Sequence, residues 1–553
     1  MPQSAAQPLP KWVIGVGLAG ALGIANLAGY LEHLGHGAVV PAVSLGWVVP
    51  FALLLLCIAV LPFVANHFWH KYYPAVTLGL ATLVAGYYVL GLPGPRGGWP
   101  NLAEHLAEYI SFVFIMGSLF IVSGGILIRV REGNDGSRWA APLANVTLLL
   151  IGAVLANFFG TTGASMLLIR PYLRMNQGRL RPYHVVFFIF LVANIGGGLT
   201  PIGDPPLFLG FLRGVPFWWV AEHCWLMWLL TVGLLLGIFF IIDWRASNPN
   251  RDRQGAVNVP IAKRVAEVTP LPNGRGSDAL GPLVSVYGAG NLAFIGLIVA
   301  GILLHEKLYN GVAPLQWREM LMALAAAGSL WLTPHRIHGE NHFNYVPIKE
   351  VAFLFAGIFI TMVPALNYLD RHASDPALDK LLQTPGQYFY LSGGLSSVLD
   401  NAPTYVTFLE AELGKLDKVA VERAVEIARQ PWQVHGDPYA NLTPAQRGQA
   451  QAAVAALEKY YPATVHTNAL TVAQVRVAFL LGDEKLNLYL IAISMGSVFF
   501  GACTYIGNGP NFMVKSIAEH AGAEVPSFFG YILCYTLPVL MPVFAVVWWG
   551  FLR

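Results

Sequence analysis

Long runs of apolar residues recur from one end of the chain to the other, separated by short stretches where charged and amide residues collect. A run of about 20 apolar residues crosses a bilayer as a helix. The pattern predicts such spans near residues 12–31, 47–65, 74–92, 106–128, 217–243, 284–304, 319–333, 348–369 and 528–552. The first run follows Lys11 and is rich in small residues, so it reads either as a signal peptide or as a first spanning helix. Four further apolar segments are interrupted in their middles. Residues 141–173 break at Asn157–Gly163, and residues 386–411 break at Asp400–Thr404. Residues 183–212 and 486–516 break at a motif that occurs twice: Thr200-Pro201-Ile202-Gly203-Asp204-Pro205-Pro206 and Thr504-Tyr505-Ile506-Gly507-Asn508-Gly509-Pro510. Gly and Pro stop a helix, Pro because it lacks a donor and clashes with the preceding turn. A corresponding break in each half of a membrane chain points to a secondary transporter's binding site.

A broken apolar segment either continues across the membrane or turns back. The distribution of basic residues helps to choose, because they favour the cytoplasmic side. With a cytoplasmic N-terminus and with 141–173 and 386–411 as re-entrant hairpins, sixteen basic residues fall in cytoplasmic loops, against six in loops on the other side. The sixteen include Arg129, Arg174, Arg179, Arg245 and Arg336; the six are Arg96, Arg213, Lys307, Arg318, Arg371 and Lys380. The two hairpins then open to opposite sides, and the two halves are inverted repeats. Irregular backbone at membrane depth survives only when buried in protein or lining a wet cavity, so the breaks should face one another.

Composition supports this class. Of 553 residues, 56% are hydrophobic and 11% charged, against about 25% charged in soluble domains. The four cysteines all fall in apolar segments and read as packing residues, with no disulfide or metal pattern. The expected organisation is an N-terminal hydrophobic segment (1–45), a first repeat (46–245), a cytoplasmic linker rich in Pro, Gly and Asn (246–282) and a second repeat (283–553). Within the second repeat, residues 412–485 are charged and Ala-rich, with helical periodicity over Lys415–Gln430 and Ala445–Tyr460, and read as an extramembrane helical insertion. The fold class is an all-α polytopic membrane protein with two re-entrant hairpins and two broken helices.

The breaks supply a uniform chemistry. Asn157, Thr161, Thr162, Thr200, Asp204, Asp400, Asn401, Thr404, Thr504, Asn508 and Asn511 offer hydroxyl, amide and carboxylate oxygens, without sulfur or imidazole. Hard cations take oxygen ligands. Broken helices add free carbonyls at one half-helix end and free N–H groups at the other, shaped here by Gly203, Pro403 and Gly507. Asp204 and Asp400 are the two acids, and no Lys or Arg lies within the motifs. An ionised Asp at mid-membrane costs about 2.5–3.5 kcal/mol on the insertion scale, so it calls for a cation or a proton. Asp204, Asp400 and Asn401 are therefore the candidate sodium ligands, and the two acids the candidate coupling groups. Each acid could instead cap the helix that follows it. Glu104, His105 and Glu108 share a helix face but stand at a span's entrance. No phosphate-binding loop, nucleophile elbow or zinc-protease helix occurs, so an enzyme has no motif here, and nothing indicates a nucleic-acid partner.

Asn157–Ser165, Asn194–Pro206, Leu399–Thr404 and Thr504–Asn511 resemble the Ion Transporter superfamily, in particular its bacterial members of the sodium:proton antiporter or citrate transporter type. The likeness covers about residues 45–553 apart from the insertion. Asp400-Asn401-Ala402-Pro403 is similar to the Asp-Asn-x-Pro tip of D-type sodium/proton antiporters, while the Ser-Asn-Thr signature of the dicarboxylate branch is absent. The resemblance implies a scaffold domain and a transport domain, a homodimer, and an elevator motion of the transport domain. It places the hairpin tips at Asn157–Gly163 and Asp400–Thr404, and the broken-helix loops at Thr200–Asp204 and Thr504–Asn508. Asn508 departs from Asp204, which implies one carboxylated and one neutral half-site.

The expectation is a multi-pass secondary transporter of a bacterial inner membrane, exchanging sodium for protons and using no cofactor beyond the transported ions. The alternative is cation-coupled transport of citrate or another carboxylate. A channel is a further rival, to be recognised by conductance above carrier turnover.

Overall fold

The computed structural model describes residues 10–35, 41–92, 98–130, 139–247, 284–308, 317–341, 343–372, 380–429, 437–466 and 470–553. Nine of the described helices are long and apolar enough to cross a membrane. Many large apolar side chains on their outer faces are exposed, among them Leu53 and Leu56, Leu226 and Leu229, and Leu533 and Leu537. A chain solvated by acyl chains carries such a surface; one solvated by water does not.

The helices sort into two bundles. The first contains α1 (Lys11–Gly35), α2 (Val49–Val64), α3 (Asn66–Gly86) and α4 (Gly98–Gly124). It is joined by α9 (Asn291–Leu308), α10 (Trp317–Leu332), the short α11 (His335–Glu340) and α12 (Val346–His372). The segment left open between a signal peptide and a first span is here a helix. It packs on α4 and α10, with Ala25 and Ala28 fully buried.

The second bundle contains α5 (Ala140–Met175), α6 (Pro182–Leu191), α7 (Pro205–Leu212), α8 (Trp219–Ala246), α13 (Pro385–Val398), α14 (Asn401–Leu413), α19 (Glu484–Phe500), α20 (Gly509–His520) and α21 (Phe528–Phe551). Small residues let these helices approach closely. A Cβ on Gly393 would meet the Phe500 ring, and one on Gly496 the Phe389 carbonyl oxygen. Between α14 and α19 lie the insertion helices α15 (Lys418–Arg429), α16 (Pro444–Tyr460), α17 (Pro462–His466) and α18 (Val472–Gly482). Thr443 and Gln446, and likewise Thr471 and Gln474, form reciprocal caps at the starts of α16 and α18.

Two elements settle the turn-or-cross question. A straight helix of the length of α5 would run about 54 Å, but Asn145 and Asn176 exchange carboxamide hydrogen bonds of 2.8 and 2.7 Å across its two ends. The chain therefore folds back, and it does so at Gly160, whose φ of 74° and ψ of 155° are open to glycine. In the second hairpin, Tyr388 on α13 bonds Glu412 on α14, and Lys415 bonds the Leu382 carbonyl, so its ends also meet.

The hairpin mouths lie at opposite ends of the molecule. That of α5 adjoins Asp243 at the end of α8, which accepts from Asn145 and Tyr183 at 2.9 and 2.8 Å and pairs with Arg179. That of α13–α14 adjoins Arg213 at the end of α7, through Glu410. The first of these ends holds a feature the sequence reading lacks. β1 (Leu127–Val130) pairs antiparallel with β2 (Val284–Tyr287), Leu127 opposite Tyr287 and Val130 opposite Val284. The fold remains that of an all-α polytopic membrane protein, with this one ladder added: β-branched residues just beyond a helix end pair their free backbone groups. Beyond Ser247, the linker expected at 246–282 lies outside the described residues.

Candidate functional site

Both broken helices are opened by the same local chemistry. After α6 the backbone leaves the helix at Asn194, makes a short turn at Ile195–Gly197, and re-enters a helix at Asp204, which is extended (φ −142°, ψ 142°) before Pro205 and Pro206. After α19 the chain turns at Gly501–Cys503 and re-enters at Asn508 (φ −154°, ψ 140°) before Gly509 and Pro510. In each break a hydroxyl closes the loop. Thr200 Oγ1 accepts from the Gly203 N–H and donates to the Asn157 carbonyl at 2.6 Å. Thr504 Oγ1 accepts from the Gly507 N–H and donates to the Ser397 carbonyl at 2.5 Å. The arms of each loop touch where side chains are absent: a Cβ on Gly203 would lie 2.1 Å from the Gly197 oxygen, and one on Gly507 2.6 Å from the Gly501 oxygen. Each threonine thus stitches its loop to one hairpin.

The loops and both hairpin tips meet at one carboxylate. Asp204 is fully buried. Its Oδ1 accepts from Thr161 Oγ1 at 3.1 Å and from Asn508 Nδ2 at 3.0 Å, and its Oδ2 from Asn401 Nδ2 at 2.6 Å. The three donors belong to the first hairpin, the second broken helix and the second hairpin. The spacing is regular: Asn157 and Thr161, Ser397 and Asn401, Thr200 and Asp204, and Thr504 and Asn508 all stand four residues apart. Hydrogen bonds to a charged group contribute about 1.5–3 kcal/mol each, so three of them offset the cost of keeping this carboxylate ionised at depth. Asp204 makes no side-chain capping bond to α7; its oxygens are committed to the other breaks.

Asp400 is placed differently. It is half-buried at the tip and accepts from the Ala402 N–H at 3.2 Å, as the N-cap of α14. The capping role weighed for both acids in the sequence is the one Asp400's hydrogen bonds serve. Thr404 bonds back to the Asp400 carbonyl, and Pro403 is buried in the same turn. Thr162 is half-buried, and among the described residues no bond draws it into the cluster. Asn157 bridges to the first loop, donating to the Gly196 carbonyl at 2.7 Å and accepting from the Leu199 N–H at 3.0 Å. Asn511 donates to the Gly501 and Thr504 carbonyls, both at 2.8 Å.

Asn194 was not among the candidate ligands. Its Nδ2 donates to Asn511 Oδ1 at 2.6 Å, tying the two broken helices together. Its Oδ1 is buried with no hydrogen-bond partner among the described residues, and so is Asn401 Oδ1. Asn194 Oδ1 and the Asn401 carboxamide nitrogen both close in on Gly501. A Cβ there would lie 3.1 Å from Asn194 Oδ1, 3.3 Å from the Gly507 oxygen and 3.5 Å from Asn401 Nδ2. Unpartnered buried oxygens beside a carboxylate suit a hard cation. The signals the sequence offers for Asn194 are a neutral asparagine at the exit of an apolar helix and its place at the head of the Asn194–Pro206 segment. Among the described residues no group of three or more His, Cys, Asp or Glu could hold a metal ion.

The relatives agree with a transport role. The chain is 27% identical to an uncharacterized transporter of Mycobacterium tuberculosis, over 58% of this chain and 71% of the relative. A Mycobacterium bovis uncharacterized transporter matches to the same extent. A second M. tuberculosis uncharacterized transporter is 26% identical, over 54% of this chain and 63% of its own length. A family described as "Putative citrate transport" matches residues 40–552, so the chain belongs to that family and is a multi-pass membrane transporter.

Proposed function

We propose that this transporter is a secondary carrier that exchanges sodium for protons, with Asp204 as the group that alternates between the two. The observation behind the reading is the isolation of Asp204: fully buried, contacted by three neutral donors, and beside two unpartnered amide oxygens. An acid so placed takes a cation or a proton. The ionised form fits the three donors as they stand. The protonated form needs an acceptor, and a turn of the Asn401 carboxamide would present its unpartnered Oδ1. A cation would draw on Asp204, Asn194 Oδ1, Asn401 Oδ1 and the Gly507 carbonyl, with Asp400 shaping the tip. The halves act as inverted repeats. The second bundle moves as the transport domain against the first as scaffold, in a homodimer of the bacterial inner membrane.

The second reading is transport of citrate or another carboxylate coupled to a cation, and the family's description favours it. The Asp204 site would then hold the coupling ion, and the start of α20, where Gly509 carries an N–H, would face the anion, since α7 opens on Pro205 and Pro206, which have none. Everted vesicles holding a pH-sensitive dye separate the two. Proton release on sodium or lithium alone supports antiport. Silence with cations, together with citrate uptake that needs them, moves the protein to the second reading.

A further inference from the structure

The seam between the bundles carries a chain of five alternating charges at the end away from the β-ladder. Arg213, at the end of α7, grips Glu108 of α4 through two bonds, Nε to Oε1 at 2.8 Å and Nη2 to Oε2 at 3.1 Å. Its Nη1 reaches Glu410 Oε1 on α14 at 2.5 Å. The other Glu410 oxygen faces Arg476 Nη1 on α18 at 3.4 Å, and Arg476 Nη2 pairs with Asp370 Oδ1 on α12 at 2.5 Å. Glu108 and Asp370 belong to the first bundle, Arg213 and Glu410 to the second, and Arg476 to the insertion. The side chains retain only about a tenth to a fifth of their exposure, so the pairs are screened far less than surface bridges.

Arg213 and Glu410 are the far ends of two helices whose near ends form the site. Asp204 opens α7 and Asn401 opens α14. The two helices are bonded at the site (Asp204–Asn401, 2.6 Å) and at the far end (Arg213–Glu410, 2.5 Å). Between these points Gly210 lies against the Tyr405 ring, where a Cβ would stand 2.3 Å from the phenol oxygen. The pair therefore moves as one body. At this end Glu108 on one side and Asp370, through the insertion, on the other add ionic ties to the direct packing of α14 on α12 and of α7 on α4. The insertion touches both sides: Tyr461 bonds the Gly214 carbonyl beside Arg213, and α17 packs on α9.

We propose that Glu108–Arg213–Glu410–Arg476–Asp370 is a releasable latch that holds the α7–α14 pair, and Asp204 with it, against the first bundle, and that the insertion is the strap carrying its second catch. The latch rests on the reading that the two bundles move relative to each other, not on which substrate is carried. Its test is therefore a distance rather than a flux. Cys57 and Cys534 are replaced, since Cys224 and Cys503 are buried. Spin labels are set at Tyr30→Cys on α1 and Val472→Cys on α18, both exposed. The liposome-reconstituted full chain should give one narrow distance. Glu108→Gln with Asp370→Asn should raise a second distance population roughly tenfold, within the range of site–site couplings. Glu108→Asp with Asp370→Glu, which keep every charge of the chain, should keep the narrow distribution, and Asp370→Asn alone should show a smaller rise if the neutralised double variant does not fold. An unchanged distribution in the neutralised variants overturns the latch. Charge-keeping variants that spread the distances as far as neutralisation does overturn it too, because lost packing would then be the cause.

Discussion

Two aspartates look alike in the sequence: both sit in breaks, and both could cap a helix. Their neighbours separate them. Asp204 has no capping bond and three donors from other elements, whereas Asp400 accepts from its own helix start. Asp204→Asn places an amide against the amides of Asn401 and Asn508 and removes the charge. Cation-driven proton movement should fall by roughly 100-fold or more, as loss of a charged contact of about 3 kcal/mol implies. Asn is as good an N-cap as Asp, so Asp400→Asn should keep most of the rate. Equal loss in both, measured in the same dye assay, would place Asp400 in the coupling step as well. Gly501→Ala tests the part that Asn194 Oδ1 plays. A methyl there would crowd Asn194 Oδ1 and the Gly507 oxygen, and overpacking costs about 1–3 kcal/mol. The half-saturating cation concentration should rise roughly tenfold with little change in protein yield; an unchanged value would remove Asn194 Oδ1 from the site. Asp204 was legible because an acid in an apolar break has few bland explanations. Asn194 was not, because one more amide near a helix exit is common, and only the fold puts its oxygen opposite Asn401.

The hairpins were legible as elements because their breaks fall in the middle of segments whose two ends are both polar. Their direction had to be argued from loop charges, since a break alone does not say whether the chain turns. The bonds that close the first mouth are the reason it turns. Asn145 serves Asn176 and Asp243 at once, and Asp243 gathers Tyr183, His184 and Arg179 around it. Asn145→Ala should leave two buried polar partners short, at about 1–3 kcal/mol, and lower the thermal midpoint of the detergent-purified protein. Asn26→Ala should not, because Asn26 is exposed and bonds only its own helix. Equal midpoints would mean the mouth is held by packing instead. The β-ladder escaped the sequence reading because four-residue strands at helix ends are too short for alternation to show, and their pairing joins residues more than 150 positions apart.

At the scale of the molecule, the sequence indicates that the breaks should converge but not which helices travel together. That partition depends on contacts such as α12 with α3 and α14 with α7, between segments whose apolar faces carry no pairing code. The sharpest check on it lies on the seam, far from the charge latch. Gly163, just past the first hairpin tip, faces Ser123 of α4, and a Cβ on Gly163 would lie 3.3 Å from the Ser123 Cβ. This is near the separation a disulfide requires. In a background free of Cys57 and Cys534, Gly163→Cys with Ser123→Cys should cross-link on oxidation, tying the two bundles beside the site while leaving Thr161 and Asp204 in place. If the second bundle slides along α4 during each cycle, the oxidised protein should fall to background exchange and recover on reduction. Each single cysteine variant should be indifferent to oxidant. If the cross-linked protein exchanges at the reduced rate, the bundles stay fixed at this seam. Alternating access must then come from the hairpin tips opening around Asp204, with loss of the Thr161 and Asn401 hydrogen bonds and of the bonds that hold Asn157 and Ser397 to the two loops.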